Sequence, residues 1–184
     1  ILAHMSKDPA LIEAFKKGED IHRRTAGELF STSPEKVNDR QRAIAKAINF
    51  GLIYGKTAFG LGKELKIPQR EAKEIIENYF KRYHAVKKLL DDQVAIARKQ
   101  GYVETLMGRK RPLPDIHSKN PAIRNNAERI AMNTPMQGTA ADLIKQAMLD
   151  LDEALRSGGY RSKMIIQVHD CLLYTSPSPR DGRI

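Results

Sequence analysis

The sequence predicts a mostly helical α+β fold. Three observations carry this: apolar residues recur at three- and four-residue spacing through several long segments, prolines and capping residues punctuate those segments, and only two short stretches have the character of paired strands. At 184 residues the chain has room for one sizeable core or two small ones.

Ser33-Pro34-Glu35 sets a capping serine before a proline at a first helical position, which predicts a helix start. Asn38 followed by Gln41 has the form of a capping box and predicts a second start. From Pro68 a longer helical pattern carries Ala72, Ile75, Ile76, Tyr79, Phe80 and Tyr83 toward Gly101, with a kink expected near His84. Tyr102 to Leu106 reads as a strand, Met107-Gly108 as a turn and Arg109-Lys110-Arg111 as an exposed basic return, together a small hairpin. Helical periodicity resumes from Pro121 to Asn133. It should break at Pro135, which lacks the N–H a helix needs, and return with Ile144, Ala147, Met148, Leu151 and Leu155 on one face. After Gly158-Gly159, Met164 to Val168 is β-like, His169-Asp170 would form a turn, and Cys171 to Tyr174 would return as a second strand. From Thr175 the composition shifts to Ser, Pro, Arg, Asp and Gly, which predicts a disordered tail.

Lys and Arg number 32 against 22 acidic residues, a net charge of +10. That excess suits a polyanionic partner, nucleic acid or nucleotide phosphate, and equally describes a solvated basic surface. A single cysteine, Cys171, excludes an internal disulfide and a multi-cysteine zinc site. The longest apolar stretch, Ala43 to Leu61, is interrupted by Lys46, Asn49 and Lys56, so no membrane span is expected and the protein reads as soluble. The chain opens at Ile1 inside an apolar run, so its natural start is expected further upstream.

The sharpest pattern is Arg42, Lys46, Phe50 and Tyr54, each four residues after the last. At helical geometry such positions drift by only ~40° per step and share one broad face, with Ile44, Ile48 and Leu52 opposite. A helix of this kind can pack its aliphatic side on the protein and offer two cations and two aromatic rings to a nucleoside triphosphate. The same spacing fits an ordinary amphipathic helix with its aromatic residues in the core. Gly51 to Thr57 nearly matches a phosphate-binding loop ending in Gly-Lys-Thr, but it is one residue short and follows helical residues instead of a strand.

Arg42-x-x-x-Lys46-x-x-x-Phe50-x-x-x-Tyr54-Gly55, within Lys46 to Gly55, resembles the motif B helix of family A DNA polymerases of the DNA polymerase I type, in a bacterial or phage-like form. Ile1 to Ser6 is similar to the segment that directly follows motif A, and Asp20-Ile21-His22 to the stretch whose histidine touches the triphosphate. Arg129, Asn133 and Gln137, up to Gly138-Thr139-Ala140-Ala141-Asp142, look like the region that grips primer-template DNA. Gln167-Val168-His169-Asp170 resembles motif C.

The resemblance implies a fingers subdomain plus partial palm of a right-hand polymerase: residues 1–6 a palm remnant, 7–123 fingers, and 124–170 partial palm. Residues 171–184 would be a non-native or disordered tail. It implies that His22, Arg42, Lys46, Phe50 and Tyr54 bind the nucleotide, and that Lys46 is also catalytic, passing a proton to pyrophosphate. Tyr54, Gly55, Arg129, Asn133, Gln137 and His169 would meet DNA. Asp170 would be the catalytic carboxylate that holds Mg²⁺, with two ions in the complete enzyme. The implied function is template-directed synthesis from deoxynucleoside triphosphates on primer-template DNA, by a parent enzyme that is monomeric and cytoplasmic in a bacterial or phage-infected cell. The alternative is a non-catalytic nucleic-acid-binding module.

Two departures qualify the match. Cys171 stands where the family pattern has Glu, and a thiol is a poor magnesium ligand. The motif A aspartate would lie upstream of Ile1, so this chain by itself is expected to lack polymerase activity.

Overall fold

The computed structural model describes residues 1–168 and 171–174. Contacts divide the chain into two compact units, Ile1–Gln137 and the remainder from Gly138.

The first unit is built from helices. α1 (Leu2–Ser6) and α2 (Pro9–Lys16) lead to α3 (Ile21–Leu29), α4 (Asp39–Ile53), α5 (Ala58–Leu65), α6 (Gln69–Arg82) and α7 (His84–Gln100). An antiparallel hairpin follows, β1 (Tyr102–Glu104) against β2 (Lys110–Pro112), and then α8 (Pro121–Ser157) begins. The core gathers Leu11, Ile48, Leu52, Leu61, Tyr79, Tyr83, Val86 and Leu90. A second cluster of Ala97, Val103, Leu113, Ile116, Ala127 and Ala131 seats the hairpin against α7 and the start of α8.

The capping box forms as the sequence predicts: the Asn38 side chain accepts from the Gln41 backbone, and the Gln41 side chain accepts from the Asn38 backbone. Three expectations need correction. Pro34 opens only a single 3-10 turn, Pro34–Lys36, because Val37 is extended and buries its side chain between α3 and α4 before Asn38 starts the next helix. The expected kink near His84 is a complete break at Tyr83 (φ −109°, ψ 57°). Tyr83 is 1 % exposed, so its ring is committed to the core at the corner between α6 and α7. Finally, α8 runs through Pro135 without a break. The missing N–H and ring clash cost about 3 kcal/mol in a free helix. Here the ring is fully buried between buried Thr134 and Met136, and packing overrides the local preference.

In the second unit, α8 continues from Gly138 to Ser157. β3 (Met164–Val168) pairs antiparallel with β4 (Cys171–Tyr174), in the register Gln167↔Leu172 and Val168↔Cys171, with an irregularity between Met164 and Ile166. His169, Asp170 and the predicted tail from Thr175 lie outside the described residues.

Candidate functional site

The site is built where α3 and α4 pack side by side. Ala26 and Ala45 are fully buried between them with Val37, and such small residues let two helices approach closely. Arg23 ties the same ends together, Nη1 donating to the Val37 carbonyl at 2.6 Å. Ile48 and Leu52 of α4 enter the core, as their place opposite the cationic positions predicts. The other face of α4 remains outside. Phe50 is 44 % exposed and Tyr54 38 %, so the aromatic pair is not core packing.

The rings form a row. His22 of α3 lies 5.8 Å from Phe50, and Phe50 lies 6.2 Å from Tyr54, centroid to centroid. Lys46 Nζ sits 6.0 Å from the Phe50 centroid and makes no ion pair among the described residues. Arg42 donates from Nε to Asp20 Oδ2 at 2.7 Å. An apolar recess of about 330 Å³ opens beside the row, with His22, Asn49 and Phe50 among its walls. The arrangement combines cations for phosphate with flat apolar surface for a base or sugar.

Electrostatics at the site follow from these contacts. Burial pushes the Asp20 carboxyl upward, but the Arg42 guanidinium and the backbone N–H groups of Arg23 and His22 outweigh it and hold it below the usual carboxylate range. Burial pushes the His22 imidazole down, and Arg42 and Lys46 add to this against the attraction of Asp20.

α4 ends at the Tyr54-Gly55 turn, and Gly55 has φ +71°. A Cβ there would lie 2.7 Å from Met132 Cε and 3.1 Å from Arg129 Cγ, so this turn presses directly on α8. That contact brings Arg129 to the Tyr54 end of the face. Asn133 follows one turn later, its Oδ1 buried with no partner among the described residues, and Gln137 after it is exposed. The near phosphate-loop at Gly51 to Thr57 is the last turn of α4 and the cap of α5, where Lys56 pairs with Glu64.

His169 and Asp170, expected to meet DNA and Mg²⁺, lie outside the described residues. Among those described, no three His, Cys, Asp or Glu side chains gather as a metal site. What the described residues of this face offer is binding and orientation. Two residues of the site were not singled out in the sequence: Asp20, which holds Arg42, and Asn49, whose Nδ2 lies 3.0 Å from His22 Nδ1. Asn49 did leave a signal, a polar residue seven after Arg42 on the edge of an aliphatic face. Asp20 entered only as the first residue of the Asp20-Ile21-His22 stretch, with no role of its own, and its place as the cap of α3 comes from the structure.

The profile of DNA polymerase family A matches residues 1–181. DNA polymerase I of Streptococcus pneumoniae strain R6 is 50 % identical over 178 residues, covering 96 % of this chain and 20 % of that protein. DNA polymerase I of Geobacillus stearothermophilus is 47 % identical over 184 residues, covering 100 % of this chain and 21 % of that one. The chain thus spans about a fifth of the length of the curated relatives it matches. Among solved structures, the POL domain of Pol1 from M. smegmatis, in complex with DNA primer-template and dNTP, superposes with a TM-score of 0.92 at 45 % identity. That match covers 98 % of this chain and 32 % of that one. Sequence profile, relatives and backbone agree over nearly every residue, and the chain belongs to DNA polymerase family A.

Proposed function

We propose that this chain supplies the nucleotide-binding face of a DNA-directed DNA polymerase, the part that receives a deoxynucleoside triphosphate and aligns it for transfer to a primer 3′ end. The observation that carries the reading is the row on α4 and α3: among the described residues Lys46 has no ion pair and Arg42 is anchored by one edge only, the Phe50 and Tyr54 rings are exposed, and the half-buried His22 ring stands beside Phe50. Arg42 and Lys46 take phosphate oxygens, and the rings take the flat part of the nucleotide. The Tyr54-Gly55 turn with Arg129, Asn133 and Gln137 meets the primer-template, in keeping with the DNA and dNTP bound by the M. smegmatis domain. Residues 7–123 act as fingers and 124–170 as partial palm. Mg²⁺ would be held at Asp170. The reading places the parent enzyme in the cytoplasm of a bacterial or phage-infected cell.

The test is equilibrium binding of a deoxynucleoside triphosphate to this chain and to Arg42→Ala and Lys46→Ala. Each variant should weaken binding by about tenfold or more. Equal binding by all three would overturn the reading. A plain nucleic-acid-binding module would bind DNA with the same affinity whether or not the triphosphate is present.

A further inference from the structure

Asp20 divides its two carboxylate oxygens between two tasks. Oδ1 accepts from the backbone N–H of His22 at 2.9 Å and of Arg23 at 3.2 Å, capping α3. Oδ2 accepts from Arg42 Nε at 2.7 Å. The second bond is not what holds α3 to α4, since the Ala26, Val37 and Ala45 contact and the Arg23 bond to the Val37 carbonyl already do that. What it fixes is the guanidinium. Arg42 has no other partner among the described residues, so its terminal nitrogens keep their N–H groups for a ligand.

We propose that Asp20 is a positioning residue of the nucleotide face: it holds Arg42 by the Nε edge so that the two terminal nitrogens meet phosphate oxygens, while capping the turn that carries His22. This rests on the nucleotide-binding reading above. One carboxylate would place two ligand groups on different helices, and a long side chain that is already ordered loses less freedom when phosphate arrives. Charge alone predicts the reverse, because a carboxylate next to an anionic ligand repels it. The sign of the effect therefore separates positioning from simple electrostatics.

Asp20→Asn makes the separation. Asn caps a helix as well as Asp does, so its single oxygen keeps the α3 cap, while the amide NH₂ left facing Arg42 cannot accept from Nε. The expected result is a three- to tenfold weaker affinity for a deoxynucleoside triphosphate, about what ordering one long side chain contributes. The thermal unfolding midpoint should fall only by the small share a partly exposed ion pair contributes, since the α3 cap is kept, and the loss of affinity should vanish in the Arg42→Ala background. Unchanged or tighter binding by Asp20→Asn, or a loss that persists without Arg42, overturns the assignment. If Arg42→Ala itself binds like the unaltered chain, or the unaltered chain does not bind, the nucleotide-binding reading falls and the assignment with it. If Arg42→Ala weakens binding and Asp20→Asn does not, only the role of Asp20 falls. A second measurement needs no variant: the ¹H–¹⁵N resonance of Arg42 Nε should stay protected from solvent exchange with and without the triphosphate. Its release on binding would make Asp20 a competitor for Arg42 and overturn the proposal.

Discussion

Asn49 Nδ2 lies 3.0 Å from His22 Nδ1, so the buried edge of α4 fixes the ring that α3 presents to the site. With Asn49 Nδ2 as the donor, Nδ1 accepts and the His22 proton sits on Nε2, which has no hydrogen-bond partner among the described residues. Imidazole ¹⁵N shifts should report the Nε2–H tautomer in the unaltered chain and a mixture in Asn49→Ala. Loss of this partly buried contact should also destabilise the fold by about 1 kcal/mol.

The same ring sets a dependence on pH. His22 is held below the ordinary 6.5 by burial first, then by Arg42 and Lys46, so the unfolded chain takes up a proton before the folded one does. Its contribution is complete above 6.5 and is lost as the pH falls from there through the folded value. Asp20, held below the ordinary 3.8, contributes fully above that value and loses its share in a separate, more acidic window. Denaturant titrations across pH should show both steps, and His22→Gln should remove the upper one alone.

Phe50 stands away from the core, and its replacement separates binding from folding. Phe50→Ala should change stability by about 0.5 kcal/mol or less, the usual range for an exposed position. Triphosphate affinity should fall by about tenfold, the scale of one lost stacking contact. Calorimetric unfolding and equilibrium binding on the same preparation measure both. A large loss of stability with unchanged binding would return Phe50 to the core of an ordinary amphipathic helix.

The α4 face was legible because its signal is periodic: four residues at one spacing, with Ile48 and Leu52 buried opposite. The Asn38 cap and the β1–β2 hairpin were legible for the same local reason. What the sequence hid depends on partners far along the chain. Pro135 carries a strong local instruction to break the helix, overruled by packing around a fully buried ring. Tyr83 belongs to a helical pattern until the core takes its side chain and turns the chain. The Asp20–Arg42 bond joins residues 22 apart and His22–Asn49 residues 27 apart, and no periodicity records such pairs.

Gly55 is required first by its backbone, and a neighbouring side chain would also have to shift. Its φ of +71° is costly for a side chain, and an added Cβ would come within 2.7 Å of Met132 Cε. Gly55→Ala should destabilise the chain by about 1–2 kcal/mol and loosen the turn that carries Tyr54. Met132→Ala loses its own packing on the core, so it sets the baseline; against that baseline the double variant should recover less than the whole Gly55→Ala loss, because the backbone strain remains. Full recovery would assign the effect to the side-chain clash alone.

Asp8 anchors the start of the chain to the long α7 helix. It is fully buried. Oδ1 accepts from the Ala10 and Leu11 N–H groups and caps α2, and Oδ2 accepts from Ala85 N in the first turn of α7 at 3.2 Å. Asp8→Ala would leave buried donors in both helices without their acceptor and should cost about 3 kcal/mol. Asp8→Asn keeps one acceptor oxygen, enough for the α2 cap, and should cost less because only the α7 donor is abandoned. Urea unfolding should rank the three chains in that order, and hydrogen exchange should show the Ala85 amide losing protection in both variants. If Ala85 kept its protection in Asp8→Ala, the buried carboxylate would be a local cap of α2 and nothing more.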